Sequence, residues 1–446
     1  MSATVGSLAA LLTISLVGVS APASARPVDD AFYTYDGSAP LSSYAPGTVL
    51  ESRTVPYHLL NVPTPIQAVQ ILYRSTDALG RPSANVTSIL RPANAQPNKV
   101  VSYQSFYDSL NPDDSPSRAI AGNTPIGDWT PSGRNFNIGG TMTSIEAALF
   151  GPLFALGYTI VVPDTEGPDA NFAAGPEYGM MTLDSLRAAR NVPETGVTDN
   201  ATFALMGYSG GAIATNWASI LGPEYAPEIN DKLIGAAEGG VLVNPANNLR
   251  YVGGSIGWGG IAGMAAVGIS RSYDIDLDPY LSERGREVMA RLADASIGNV
   301  FVQYPGLTWQ DIVKPEYANP NTVPEYVEAV NKINMGTAPI PTIPMFIAQA
   351  DNGILEGTAP GGAGIGTGDG VMITKDVHSL VSRYCDAGLA VQYDQYDTIS
   401  HIPGGGLWLP GAILWINDRF NGVPAPSNCQ NIAPGNPLTS QEPANR

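Results

Sequence analysis

Residues 201–221 read ATFALMGYSGGAIATNWASIL, and no other stretch limits the possible folds as much. A β-type apolar run ends at Tyr208, and an Ala-rich run of helical character starts at Gly210. The chain must therefore reverse sharply at Ser209. Gly207 and Gly211, two residues to either side, leave room where larger side chains would collide between strand and helix. A serine in such a turn is held in a strained backbone conformation. Its Oγ is exposed at a helix N-terminus, where developing negative charge is favoured. As a bare string, GYSGG could be a glycine turn with an incidental serine; the strand before it and the helix after it give it content.

The flanking pattern extends in both directions. Gln70–Thr76 and Val86–Leu90 are short β-type runs joined by the turn-rich DALGRPSA, and they read as a hairpin at a sheet edge. KVVSYQSF, YTIVVPD and LIGAAEGG are further strand candidates, and SIEAALFGPLFALGY and MMTLDSLRAARNV have helical spacing. Strand alternating with helix predicts an α/β fold with a mostly parallel sheet. The alternation stops between about Asn247 and Ile340, where helical and loop patterns dominate. It resumes with PMFIAQAD, a helix in VMITKDVHSLVSRYCDAG, the strand LAVQYDQYD and a last helix, LWLPGAILWINDRF. The expected organisation is a core of residues 26–246 and 341–446 with a helical insert at 247–340. Within the insert, Gly253–Ser270 carries no charge. Its many glycines and sparse basic flanks favour a packed helix facing an apolar ligand over a membrane span. The Gly-rich segment Gly357–Gly370 does not sit between a strand and a helix of a βαβ start, so it reads as a flexible surface loop, not a phosphate cradle.

Residues 1–25 read as a secretory leader. Leu8–Val19 is an apolar run, and Ala23-Ser24-Ala25 is a small-residue cleavage site, although no Lys or Arg precedes the apolar run. Secretion with cleavage near Ala25 is expected. The net charge of −18 makes nucleic acid and anionic membrane surfaces poor partners. The two cysteines, Cys385 and Cys429, form an even pair, which in a secreted chain predicts one disulfide. No Cys/His cluster points to a metal, and no cofactor is implied.

A serine hydroxyl needs a base, and the base needs an orienting group. The chain has three histidines: His58, His378 and His401. His58 precedes the first core strands, and His378 falls in a helix pattern, where packing is the simpler role. His401 follows the last strand run, on the loop DTISHIPGGG. In α/β-hydrolases the order is Ser, acid, His, and His401 fits it. The acid should end a strand between them. Asp351, closing PMFIAQAD, fits best; Glu356, Asp394 and Asp397 are rivals, the last two within or too near the final strand. Oxyanion donors are expected at the Gly210 N–H and in the loop VVSYQSFYDS, which has no HGG motif.

GYSGG, YTIVVPDTEGP, YQSFYDS, ADNGI and SHIPG, in their places along the chain, resemble the secretory lipases, an α/β-hydrolase family with a helical cap. The resemblance spans roughly Phe32 to Cys429. It implies Ser209 as nucleophile, Asp351 as acid, His401 as base, and Asp108 beside Gly210 as the second oxyanion contact. An ionised carboxylate would repel an oxyanion, so Asp108 would act through its backbone N–H or as a protonated acid. The Cys385–Cys429 pair also resembles a disulfide of the family. Asp164 and Glu166 read as structural. The expectation is a monomeric secreted lipase or esterase that cleaves acylglycerols or other fatty esters, met at an oil–water interface. A peptidase or acyltransferase on the same fold is the near rival; a non-catalytic binding protein is the distant one.

Overall fold

The computed structural model describes residues 30–125, 127–130 and 132–445. The leader expected at residues 1–25 lies outside them. The centre is a nine-stranded sheet in the order β1-β2-β3-β5-β4-β6-β7-β8-β9. Its strands are β1 Val49–Leu59, β2 Val62–Thr76, β3 Pro82–Leu90, β4 Lys99–Gln104, β5 Thr159–Pro163, β6 Thr202–Tyr208, β7 Leu233–Gly239, β8 Met345–Ala350 and β9 Val391–Tyr396. From β5 through β9 the pairing is parallel. β1, β2 and β3 form an antiparallel meander that joins β5 antiparallel. The expected hairpin of β2 and β3 is present, but β1 covers its outer side. Leu60 and Asn61, both at positive φ, make the two-residue turn between β1 and β2, the turn whose twist matches the strands.

Fourteen α-helices occur among the described residues. The first six are α1 Pro116–Ala121, α2 Gly139–Glu146, α3 Gly151–Ala155, α4 Gly175–Arg190, α5 Gly210–Tyr225 and α6 Pro227–Asn230. Between β7 and β8 lie α7 Pro245–Val252, α8 Ile261–Ser272, α9 Glu283–Leu292, α10 Ile297–Val300, α11 Trp309–Ile312 and α12 Pro324–Lys332. The last two are α13 Thr374–Asp386 and α14 His401–Phe420. Period-two alternation divides the strands between two cores. Phe203 and Leu205 of β6 face a cluster with α4, α5 and α13. Ala204 and Met206 face a cluster with Trp408, Ala412 and Ile416 of α14. A third apolar cluster belongs to the insert. It holds Trp258, Met264 and Leu292 together with Ile365, Val371 and Met372 from beyond β8.

Two element boundaries differ from expectation. The uncharged run at Gly253–Ser270 is helical only from Ile261 onward. Gly254 and Gly257 are committed to turns there: the Gly254 N–H donates to the Leu307 carbonyl, and the Gly257 carbonyl accepts from the Val302 N–H. The last helix begins six residues early, at His401 itself. Among the described residues no helix is long and apolar enough to cross a membrane. Cys385 and Cys429 are bonded to each other.

Candidate active site

Ser209 sits between β6 and α5 with φ 56° and ψ −119°, a conformation a non-glycine residue keeps only when its surroundings impose it. The reason for the flanking glycines is visible. A Cβ on Gly207 would come 2.3 Å from the Gly211 carbonyl oxygen, and one on Gly211 would come 2.1 Å from the Gln104 carbonyl oxygen. The Ser209 N–H donates to the Gly239 carbonyl at 2.9 Å, which fixes the turn against β7.

His401 Nε2 lies 2.8 Å from Ser209 Oγ, and its Nδ1 lies 2.8 Å from Oδ2 of Asp369. The network assigns the tautomer: Nδ1–H donates to the carboxylate, and Nε2 accepts from the hydroxyl. Tyr208 donates its hydroxyl to the His401 carbonyl at 2.6 Å. Asp369 is fully buried. It accepts from the Gln349 amide at 2.9 Å and from the backbone N–H of Val371 and Met372 at 2.9 and 2.7 Å. Burial disfavours the charged imidazole. Asp369 beside it, then Glu356 and Asp108, outweigh that and raise the His401 pKa.

The expectation for the acid is therefore corrected. Asp351 does close β8, but its carboxylate turns away to accept from the Thr398 N–H at 2.8 Å. Asp369 arrives from the far end of the segment 357–370, which is no free surface loop. Its end is pinned by Gly353 N–H to Gly368 carbonyl at 2.7 Å and Thr358 hydroxyl to Gly370 carbonyl at 2.7 Å. The available signal was an aspartate between two glycines, just ahead of the apolar VMI that leads into α13. Of the rivals, Glu356 accepts from the Ile402 N–H at 2.8 Å and from the Trp258 indole N–H at 2.8 Å, without bonding the imidazole. Asp394 and Asp397 pair with Gln392 and Gln395. His378 bonds Gln395, and His58 lies 3.2 Å from the Ile120 carbonyl.

Asp108 follows β4 at φ 35°. A Cβ on Gly210 would lie 1.7 Å from Asp108 Oδ1, so the two oxyanion candidates are in contact. The Asp108 carboxyl thus stands directly against the Gly210 backbone. Burial pushes the Asp108 pKa up to about 8; His401 and the Gly210 N–H oppose the rise, and Glu146 adds to it. A bed of buried acids holds this turn. Glu146 accepts from the Ser105 hydroxyl at 2.5 Å and the Phe106 N–H at 3.1 Å. Glu166 accepts from the Ser109 N–H at 3.2 Å and the Tyr178 hydroxyl at 3.1 Å. Asp164 accepts from the Ser117 N–H and hydroxyl at 2.9 and 2.5 Å. Asp164 and Glu166 thus serve the backbone.

Ser209, Gly210 and Asp108 share a cavity with Phe172, Ile213, Leu249, Ile261, Ala265, Ile269, Trp309 and Met372. Apart from Asp108, its one acidic lining residue is Glu325, which is bonded by the Tyr280 hydroxyl at 2.6 Å. No group of three or more His, Cys, Asp or Glu side chains among the described residues could hold a metal ion.

A mostly parallel sheet with a serine elbow after its central strand and a histidine after its last is the architecture of the α/β-hydrolases. The chain belongs to the secretory lipase family, whose sequence profile matches residues 133–428. Lipase 1 of Candida albicans is 31% identical over 94% of this chain and 86% of its own length. A Mycobacterium tuberculosis protein named a probable inactive lipase is 27% identical over 89% of this chain and 83% of its own. The crystal structure of Candida antarctica lipase A is 25% identical, with a TM-score of 0.75 over 93% of this chain and 91% of that one. Family membership supports carboxylic ester hydrolase chemistry.

Proposed function

We propose that the protein is a secreted serine lipase or esterase that hydrolyses triacylglycerols or other fatty acyl esters through an acyl-enzyme. The observation that carries this reading is the bonded series Ser209–His401–Asp369 beside an apolar cavity. Ser209 Oγ attacks the ester carbonyl while His401 Nε2 takes its proton; the same nitrogen then protonates the leaving alcohol. Asp369 holds Nδ1–H and stabilises the imidazolium that forms. The Gly210 N–H and the protonated Asp108 carboxyl donate to the tetrahedral oxyanion. Water, activated by His401, then releases the fatty acid. The insert, residues 247–340, is the cap that shapes the acyl site, and α8 supplies much of its apolar wall. Secretion is supported by the family's character and by the leader-like residues 1–25; the enzyme acts as a monomer.

The test is hydrolysis of p-nitrophenyl esters of graded chain length by the wild type and by Ser209→Ala. The wild type should be active, and the variant should lose at least about 10⁴-fold in kcat. A wild type inert on every ester would favour a non-catalytic role like that implied by the name of the mycobacterial relative. Cleavage of aminoacyl amides alone would favour a peptidase.

A further inference from the structure

Glu356 takes no part in the reaction just described, yet it touches both the helix that carries the base and the cap. His401 and Ile402 open α14, and the helix N-cap, Ser400, makes no side-chain capping bond. The first backbone donors of the helix are satisfied from the 353–372 loop. The His401 N–H donates to the Asp369 carbonyl at 2.9 Å, and the Ile402 N–H donates to Glu356 Oε1 at 2.8 Å. Pro403 has no N–H to satisfy. The other oxygen, Oε2, accepts from the Trp258 indole at 2.8 Å. The Trp258 ring stands edge-on to the His401 ring, centroids 5.8 Å apart. Around Trp258 the cap is stitched to the same loop. The Ile256 N–H donates to the Gly357 carbonyl at 2.9 Å, and Ser255 and Thr358 share a hydroxyl bond of 2.7 Å.

We propose that Glu356 is a positioning residue that couples the seating of the cap to the orientation of the catalytic imidazole. One oxygen caps the helix that begins at His401; the other holds Trp258 as a wall of the imidazole. Its carboxylate lies close enough to stabilise the imidazolium, along with Asp369. The other titratable groups facing it are the phenols of Tyr208 and Tyr251. The proposal rests on His401 acting as the general base, so its test needs a readout that does not depend on turnover.

The experiment uses the full mature chain as wild type, Glu356→Gln, Glu356→Asp, Trp258→Phe and the double variant Glu356→Gln/Trp258→Phe. Histidine ring signals are titrated by NMR, with His58 and His378 as internal references. The acid limb of kcat/KM is measured on soluble p-nitrophenyl acetate. Glu356→Gln should lower the His401 midpoint and move the acid limb down by about 0.5 pH unit. It should also reduce kcat several-fold, because its amide sets a donor against one of the two N–H groups. Glu356→Asp and Trp258→Phe keep the charge, so the midpoint should stay in place while kcat falls. The double variant should be no slower than Glu356→Gln alone, the mark of two residues acting through one link. An unmoved midpoint in a folded Glu356→Gln, or multiplicative losses in the double variant, would overturn the proposal. Should Glu356→Gln not fold, an unchanged kcat in both Glu356→Asp and Trp258→Phe would overturn it equally. A wild type that hydrolyses no ester would refute the assigned activity, while the titration would still judge Glu356.

Discussion

Asp369 and Asp351 invite the same substitution, with opposite expectations. Asparagine at 369 leaves a group that cannot hold Nδ1–H in place, so kcat should fall by about 10³–10⁴. Asparagine at 351 keeps a carbonyl oxygen to accept from the Thr398 N–H at a partly exposed turn, and kcat should change by no more than a few-fold. Steady-state rates on p-nitrophenyl butyrate separate the two; a larger loss at 351 would return the role to that residue. On the proposed mechanism, Asp108 should set the alkaline side of the pH profile. With its pKa pushed up to about 8 by burial, the carboxyl donates to an oxyanion below that pH and repels it above. His401 must be neutral to accept the serine proton, so kcat/KM should rise through the pKa of His401 and fall above about pH 8. Asp108→Asn keeps a donor at every pH, and the alkaline fall should disappear; its persistence would assign the second contact to a backbone group. The meeting of Ser209 with His401 was legible in the sequence because elbow chemistry and chain order each point to a single residue. The carboxylate that bonds His401 was not, because such a partner is decided by where its oxygens lie, and the long loop after Asp351 can deliver one from eighteen positions downstream.

At the level of elements, β4 and the start of α5 approach each other closely in the core. A methyl group on Gly211 would meet the Gln104 carbonyl oxygen at 2.1 Å, backbone against backbone. Gly211→Ala should therefore cost roughly 2–4 kcal/mol, read as a lowered urea midpoint, and should disturb the oxyanion turn after β4. On α8, Ile261 faces the cavity. A lysine there should cut turnover of long-chain esters more than of acetate; equal losses on both would mean that α8 is no acyl wall. The parallel core was readable because each strand and helix advertises its own period. β1 was missed because all its residues but Tyr57 are half-buried or exposed, so the apolar alternation that marks a strand is diluted. The break before α8 was missed because glycines that make turns and glycines that permit close helix packing look alike in sequence.

Across the whole molecule, Cys385–Cys429 joins the end of α13 to the chain beyond α14, closing a loop over 44 positions that contains His401. Reduction should lower stability by about 2–4 kcal/mol, seen as a drop in Tm, with activity lost along with it. A second global property comes from buried acids. Glu238 is pushed up to about 8, and Glu146, Asp164 and Glu177 to about 7, each mainly by burial. The folded state binds protons that an unfolded carboxyl has already released above pH ~4. Their contribution is thus complete below about pH 4 and is lost as pH rises to about 8. The urea midpoint should decline from mildly acidic to mildly alkaline solution, and a midpoint climbing over that range would contradict it. The loop 353–372 has a consequence for anyone recombining relatives of this protein. Because it carries the carboxylate bonded to His401 and interlocks with the insert, a chimera that imports the 247–340 segment alone would leave Asp369 resting on foreign contacts. The two stretches form one exchangeable part, to be inherited together or not at all.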